Sequence, residues 1–176
     1  LGIETEEEFF KVDRSVIIKA FVRAGIVTDD MYVKYLNWET AKKAYHRFIE
    51  EILLLPEDGS ILFHCTQGKD RTGLAAMLVL AMLGADNSTI VTDYELTNIF
   101  NESLISQEAE YLLSIYSDKN EVLEYLKVMD MVDITLMKNV ISYLEKEYGS
   151  IVGYITQELG ISLEDISDLK KRYLNF

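Results

Sequence analysis

One short run of residues holds the side chains of this chain that are best suited to chemistry. The run reads His64-Cys65-Thr66-Gln67-Gly68-Lys69-Asp70-Arg71-Thr72-Gly73. It follows an apolar, strand-like stretch, Ile61-Leu62-Phe63, and precedes an apolar, helix-like stretch from Leu74 to Leu83. A strand that ends in a tight loop and opens a helix directs backbone N–H groups and the positive end of the helix dipole at one point. The sequence therefore predicts a phosphate-type anion site that also contains a thiol and a guanidinium.

Cys65 is the candidate nucleophile of this loop. A free thiol has a pKa of about 8.5, so little of it is ionised at neutral pH. We expect the loop amides, the helix N-terminus and the cations of Lys69 and Arg71 to lower that pKa by roughly 2–4 units. Arg71 can hold two phosphoryl oxygens at once through its planar fork. Thr72 can donate a hydrogen bond to the sulfur and ease its later departure.

The other loop residues are expected to shape the anion site. The predicted phosphate-binding residues are Thr66, Gln67, Gly68, Lys69, Asp70 and Arg71. Gly68 allows a positive φ and a close approach of the backbone to the anion. We expect His64 to orient the loop rather than to act as a base, because on a strand its side chain points to the face opposite Cys65. A buried structural cysteine is the alternative, but glycines, a hydroxyl and two cations are not what core packing requires.

The loop resembles the phosphate-binding loop of cysteine-dependent protein tyrosine phosphatases, in the bacterial branch that carries Lys-Asp within the loop. The likeness extends over roughly residues 29–176. The further segments that are similar to the family are Asp30-Met31-Tyr32, Asp93-Tyr94-Glu95-Leu96-Thr97-Asn98, Tyr148-Gly149-Ser150, Tyr154-Ile155, Leu159-Gly160-Ile161 and Tyr173-Leu174. The loop motif is highly specific, whereas each C-terminal match is weaker taken alone.

The beginning of the chain departs from the family pattern. The family's Phe-Arg-Asp-x-Gly-Gly-like element and its strand ending near Asp-Leu-Arg-Ser are absent. Leu1-Gly2-Ile3 is followed instead by an acidic run, Glu4 to Glu8. We therefore expect residues 1–176 to form a single phosphatase domain whose N-terminal part is incomplete, with one sheet edge and one substrate-facing wall affected.

Composition restricts the class of protein further. A chain of 176 residues suits one domain with a single core. Seventeen basic and thirty acidic residues give a formal net charge of −13, which disfavours nucleic acid as a partner. One cysteine excludes an intrachain disulfide, and no Cys/His cluster has metal-ligand spacing. No apolar stretch reaches the roughly 20 residues that span a bilayer. We expect a cytoplasmic protein without a cofactor. Secretion stays open, because we also expect the N-terminal part to be incomplete.

The hydrophobic pattern predicts helices over most of the chain after the loop. The helix over 39–55 carries an apolar face formed by Ala41, Ala44, Tyr45, Phe48, Ile49 and Ile52. Further helices are predicted over Gly73–Leu83, Ser88–Phe100, Gln107–Tyr116, Glu121–Met129 and Thr135–Tyr148, and Ser162 with Asp165 predicts the capped start of a last one. The apolar run over 16–22 suits a strand or a short helix. With a strand at Ser60–His64, the predicted fold class is α/β: a small, mainly parallel sheet surrounded by helices, with a helix-rich C-terminal half.

These residues predict phosphomonoester hydrolysis in two steps through a phosphocysteine, without a metal. Arg71 and the loop amides would stabilise the equatorial oxygens, and the leaving oxygen needs a general acid. Asp70 is the first candidate for that acid, although it could instead be an anion that only shapes the loop. Asp30 is the alternative acid. A helix N-cap before Met31 is the other role open to Asp30 and to its neighbour Asp29.

The substrate is less well defined than the reaction. The resemblance implies activity on phosphotyrosine, with phosphoserine, phosphothreonine or phosphoinositides as further substrates. Lys69 adds a second cation, which favours substrates with more than one phosphate. The resemblance also suggests that residues 99–128, two short helices, form a lid, while ordinary helical packing explains them equally well. Two other classes stay open: a rhodanese-like sulfurtransferase that uses Cys65 as a sulfur carrier, and a catalytically silent phosphoprotein-binding module.

Overall fold

The computed structural model of the chain describes residues 28–56 and 58–174. The regular structure of these residues is helical. The helices are α1 (Met31–Leu36), α2 (Glu39–Leu53), α3 (Asp70–Leu83), α4 (Asn87–Phe100), α5 (Glu102–Ile115), α6 (Lys119–Met129), α7 (Ile134–Tyr148), α8 (Ile151–Gln157) and α9 (Leu163–Tyr173). None of these helices is both long enough and apolar enough to cross a membrane. The predicted element over 16–22 and the acidic run before it lie outside the described residues.

The expected α/β class with a small parallel sheet is wrong for the part of the chain that the structure describes. Residues 60–64, the expected strand, belong to an irregular connection between α2 and α3. A strand exists only within a hydrogen-bonded ladder, and no described residue belongs to one. Leu62 is 89% exposed, whereas Phe63 packs on Phe48 of α2 with ring centroids 4.9 Å apart. The apolar run that suggested a buried strand therefore contributes one aromatic anchor to a helical core.

Helix α3 is buried at the centre of that core, as its apolar sequence predicts. Its buried residues are Leu74, Ala75, Met77, Leu78, Ala81 and Met82. The helix packs against α4, α8 and α9. Gly84 ends it in the left-handed conformation with φ +95°, which a residue with a Cβ rarely adopts. Because α3 is enclosed in this way, its N-terminus at Asp70 has a fixed position.

Helix α2 closes a second side of the core and leads toward the loop. Tyr45 and Ile49 are buried on its inner face, and Phe48 is partly buried there. Ala44, expected on the same face, is exposed. The helix ends at Leu53, two residues earlier than its hydrophobic pattern predicts. Its apolar stripe thus confirms the predicted helix with one misplaced residue.

Helix α9 begins with the capping box that the sequence predicts. Ser162 Oγ accepts a hydrogen bond from the Asp165 amide at 3.0 Å, and the Asp165 carboxylate accepts one from the Ser162 amide at 3.2 Å. Near its other end, Arg172 Nη1 donates to the carbonyl oxygens of Leu53 at 3.0 Å and Leu55 at 3.1 Å. The last helix therefore satisfies carbonyls at the end of α2, just before the chain enters the loop.

Helices α5 and α6 form a hairpin with a small core of its own. Leu112, Val122, Tyr125 and Leu126 are buried in it. Asp118 begins α6 by accepting hydrogen bonds from the amides of Asn120 and Glu121. Both helices are longer than their hydrophobic patterns predict. Of the described residues, Thr28 and 101–131 belong to one compact unit, and 29–100 with 132–174 belong to another. A lid role for residues 99–128 stays a prediction.

A close contact between α3 and α4 gives a test of this packing. A Cβ added to Gly73 would lie 2.9 Å from both Cδ2 and Cε2 of Tyr94, whose ring is only 3% exposed. Replacing glycine by alanine inside a helix normally stabilises a protein by about 0.5–1 kcal/mol. We expect Gly73→Ala instead to lower the free energy of unfolding by about 1–3 kcal/mol, because the ring must move. Chemical denaturation measures this change.

The control for this prediction is the same substitution in a Tyr94→Leu background. Leucine lacks the ring atoms that the new methyl group would meet, so the penalty for Gly73→Ala should shrink there. A penalty of the same size in both backgrounds, or no penalty at all, would contradict the contact.

Candidate active site

The loop of residues 65–69 joins the irregular connection to the first turn of α3. Gly68 has φ +73°, a conformation that glycine adopts without strain. A Cβ at this position would meet open space, so glycine is needed for the backbone conformation and not for room. The bend that Gly68 allows brings backbone N–H groups of the loop toward Cys65.

Hydrogen bonds to the sulfur determine the ionisation of Cys65. Burial by itself raises the pKa of this thiol, but the Thr72 hydroxyl and the backbone amides of Thr72, Gln67 and Gly68 outweigh burial and lower the pKa to about 6. An ordinary thiol has a pKa of about 8.5. Cys65 is therefore mostly thiolate at neutral pH, and the direction of the shift is the one that the loop sequence predicts.

The hydroxyl of Thr72 is buried next to this sulfur. Thr72 Oγ1 is buried and has no partner of good hydrogen-bond geometry among the described residues. It nevertheless lowers the pKa of Cys65. Both observations fit a hydroxyl that lies close to the sulfur and has no other acceptor. Because no other acceptor engages this hydroxyl, it is available to stabilise the thiolate.

Arg71 lies at the exposed rim of the loop. Its Nη2 donates to Thr66 Oγ1 at 3.1 Å, so the guanidinium reaches back across the loop. The Tyr45 hydroxyl of α2 donates to the Arg71 carbonyl at 3.0 Å and ties α2 to the first turn of α3. His64 is exposed, and its Nδ1 donates to the Cys65 carbonyl at 3.0 Å. The contact between Arg71 and Thr66 is one that a bound anion could replace.

Lys69 and Asp70 face each other at the start of α3. The Lys69 side chain is only 5% exposed, and its Nζ lies 4.0 Å from Asp70 Oδ2. The other oxygen, Oδ1, accepts a hydrogen bond of 2.6 Å from the Tyr32 hydroxyl of α1. The expected second cation is thus paired with the neighbouring carboxylate and does not extend into solvent.

Asp30, the alternative acid, has a different environment. It is at the N-cap position of α1, but its side chain makes no capping hydrogen bond. Its carboxylate pairs with Lys34 at 2.8 Å, and the two side chains are 55% and 54% exposed. Asp29 contributes its backbone carbonyl, which accepts a hydrogen bond from Asn139 Nδ2 at 3.0 Å. Asp30 therefore has the expected N-cap position without the capping hydrogen bond, and Asp29, one residue earlier, does not occupy that position.

Sequence reasoning missed the hydrogen bonds that three buried tyrosines make around the loop. Tyr32, Tyr45 and Tyr94 are 2%, 6% and 3% exposed. Tyr32 bonds to Asp70, Tyr45 to the Arg71 backbone, and the hydroxyls of Tyr32 and Tyr94 are 2.5 Å apart. The one signal in the sequence is that a buried tyrosine hydroxyl needs a partner. Partners that are 38 and 62 residues away along the chain leave no local pattern.

This arrangement can bind a tetrahedral anion and attack it. Amides of Gln67, Gly68 and Thr72 converge on the sulfur, and the Arg71 guanidinium is at the rim of the same loop. In the described part of the chain, no group of three or more His, Cys, Asp or Glu side chains is placed to hold a metal ion. The positive field of the site comes from the chain's own amides and cations.

The known proteins that this chain is similar to are named as phosphatases. The model of the tyrosine phosphatase family matches residues 21–175. A tyrosine-protein phosphatase of Nostoc commune is 26% identical over 156 residues, which are 82% of this chain and 49% of that protein. The triple specificity protein phosphatase PtpB of Mycobacterium tuberculosis is 28% identical over 148 residues, 80% of this chain and 52% of that protein. A putative tyrosine-protein phosphatase of Cupriavidus necator is 31% identical over 126 residues, 65% and 40% of the two chains.

The chain spans about half or less of the length of these curated relatives, 40% to 52%. The family match nevertheless covers every described helix together with the Cys65 loop. It agrees with the resemblance first seen in the loop motif and with the wider likeness over roughly residues 29–176. The chain belongs to the tyrosine phosphatase family.

Proposed function

We propose that this chain is the catalytic domain of a protein tyrosine phosphatase that hydrolyses phosphomonoesters through a phosphocysteine at Cys65. The observation that carries the proposal is the lowered pKa of Cys65, about 6, at the point where three loop amides and a hydroxyl converge. A thiolate in that position is a nucleophile at neutral pH. Membership of the tyrosine phosphatase family supports the same reaction.

In the first step the Cys65 sulfur attacks phosphorus in line with the leaving oxygen. A sulfur–phosphorus bond forms as the phosphorus–oxygen bond of the ester breaks, and the phosphoryl group passes to the enzyme. Loop amides and the bidentate fork of Arg71 bind the three equatorial oxygens as charge shifts during transfer. The departing oxygen takes a proton from Asp70, and the alcohol or phenol leaves.

In the second step water hydrolyses the phosphocysteine. Asp70, now a carboxylate, accepts a proton from the attacking water as the new phosphorus–oxygen bond forms. The sulfur–phosphorus bond breaks, and the thiolate returns to Cys65 while inorganic phosphate leaves. The Thr72 hydroxyl lies near the sulfur and stabilises the departing thiolate, which is the role that its lack of another partner supports.

Asp70 is the better supported acid. It belongs to the loop, at the first residue of α3, and Tyr32 holds one of its oxygens. Asp30 pairs with Lys34 in a half-exposed position, and exposed ion pairs of this kind restrain a side chain only weakly. A proton donor must be positioned relative to the leaving oxygen to act as a catalyst. We therefore assign the acid to Asp70, with Asp30 as the alternative.

The substrates are phosphoproteins, with phosphotyrosine as the first choice. The mycobacterial relative carries the words triple specificity in its name, and we extend dual specificity toward phosphoserine and phosphothreonine to this chain as part of the proposal. Phosphoinositides are a further candidate substrate. Lys69 pairs with Asp70 in this structure, so a role in binding a second phosphate requires that the pair separate.

The proposal is tested first with p-nitrophenyl phosphate, a phosphotyrosine peptide, a phosphoserine peptide and a phosphoinositide. We expect turnover of the first two, unchanged by a metal chelator. Cys65→Ser should abolish turnover while retaining phosphate binding, because the loop amides and Arg71 remain. Substantial turnover by the variant would refute the mechanism. Consumption of thiosulfate without phosphatase activity would favour a sulfurtransferase instead.

The ionisation of Cys65 gives a second prediction. The rate of alkylation by iodoacetamide follows the thiolate fraction, so it should rise with pH through a midpoint of about 6 and level off above neutrality. Thr72→Val removes the hydroxyl but keeps the backbone amide and the side-chain shape. We expect it to move the midpoint upward by roughly one unit. A midpoint above 8 in the unmodified protein would contradict the thiolate, and an unshifted midpoint in the variant would exclude Thr72.

The general acid gives a third prediction. A poor leaving group needs a proton and an activated phenol does not. Asp70→Asn should therefore slow phenyl phosphate by about 100-fold and p-nitrophenyl phosphate by less than about tenfold. Asp30→Asn is the matched control and should leave both rates near those of the unmodified protein. Equal losses on both substrates in Asp70→Asn would assign Asp70 a purely structural role, and leaving-group dependence in Asp30→Asn would move the acid there.

A further inference from the structure

A row of buried hydroxyls ends on the Asp70 carboxylate. Tyr32 of α1 donates to Asp70 Oδ1 at 2.6 Å, and the Tyr94 hydroxyl of α4 lies 2.5 Å from that of Tyr32. A phenol hydroxyl can donate one hydrogen bond, and that of Tyr32 donates to the Asp70 carboxylate. Tyr94 must therefore donate to Tyr32. The row is directed, from Tyr94 through Tyr32 to Asp70.

Packing fixes both tyrosines. Their rings meet edge to face, with centroids 6.2 Å apart and planes at 82°. The Tyr94 ring also rests on Gly73, one turn into α3 from Asp70. Tyr32 and Tyr94 are only 2% and 3% exposed. Two neighbouring helices thus hold the row against the helix that carries the carboxylate.

The groups around this row keep the hydroxyls protonated. Burial first, and then the charge of Asp70, raises the pKa of Tyr32 far above its usual value. Burial is also the main reason that the pKa of Tyr94 is raised, and the charges of Asp70 and Asp133 act in the same direction. The cation that faces Asp70 is Lys69, whose Nζ is 4.0 Å from Oδ2. Both phenols therefore remain hydrogen-bond donors over the working pH range of a phosphatase.

We propose that Tyr32, held in turn by Tyr94, is a positioning residue that fixes the Asp70 carboxyl group through Oδ1, while Oδ2, which faces Lys69 at 4.0 Å, exchanges the proton. This inference rests on the proposed phosphatase function. An aspartate in the first turn of a helix has several side-chain rotamers, and the Tyr32 hydrogen bond selects one of them. Tyr32 acts through Asp70 and has no contact with substrate in this proposal.

Tyr32→Phe removes the hydroxyl and keeps the ring. On phenyl phosphate we expect kcat to fall about tenfold with little change in KM, because the acid is misplaced while phosphate binding is intact. On p-nitrophenyl phosphate we expect a loss of less than about threefold, since that leaving group needs no proton. Tyr94→Phe should give a smaller loss with the same dependence on the leaving group. Equal losses on both substrates would overturn the proposal.

Tyr154→Phe is the matched control for a merely structural effect. Tyr154 is 1% exposed, and its hydroxyl donates to the Leu36 carbonyl at 2.9 Å, so the substitution also removes one buried hydrogen bond. Thermal unfolding should show comparable destabilisation of the Tyr154 and Tyr32 variants. Only the Tyr32 variant should lose activity selectively on phenyl phosphate. The same selective loss in Tyr154→Phe would overturn the proposal.

The decisive measurement is Tyr32→Phe in the Asp70→Asn background. If Tyr32 acts through Asp70, the second substitution should change kcat on phenyl phosphate by less than about twofold. A full tenfold loss in that background would overturn the inference and leave the phosphatase mechanism untouched. Failure of the function itself has a different signature, since Cys65→Ser would then retain activity.

Discussion

Burial of helix α3 is the constraint on which the site depends. The helix is apolar on nearly every face, and each methylene that it buries contributes about 0.8 kcal/mol. Contacts with α4, α8 and α9 fix where this helix lies and which of its faces points toward each neighbour. Its first turn carries Asp70, Arg71 and Thr72, so burial of the helix body also fixes the amides around the sulfur. A loop on a less deeply packed helix could contain the same residues without aligning them.

The part of the structure that local pattern governs was predictable. Helix α3 and the capping box at Ser162 follow from apolar spacing and from capping residues that lie three positions apart. The direction of the Cys65 pKa shift was predictable for the same reason, because its donors, Gln67, Gly68 and Thr72, are near it in sequence. Interactions between residues that are close in the sequence can be recognised from the local sequence pattern, and these interactions are of that kind.

The parts that failed depend on distant partners. The run at Ile61 to Phe63 has strand-like composition, but strand formation requires a ladder partner elsewhere, and no described residue supplies one. The contact of Tyr32 with Asp70 likewise joins residues 38 positions apart. Lys69 differs from these cases because its partner is the next residue in the chain: its Nζ lies 4.0 Å from the Asp70 carboxylate, and a role in binding a second phosphate stays a prediction. Charge alone does not reveal which neighbour a side chain will face.

The covering of α3 by α8 and α9 affects when the site can form during synthesis. The ribosome adds residues from the N-terminus, so Cys65 and its loop emerge long before α9 and Arg172, whose hydrogen bonds satisfy carbonyls at the end of α2. Until those helices are available, the contacts that α8 and α9 make with α3 are missing. The arrangement of amides around Cys65 therefore depends partly on helices that are synthesised well after the loop that contains it.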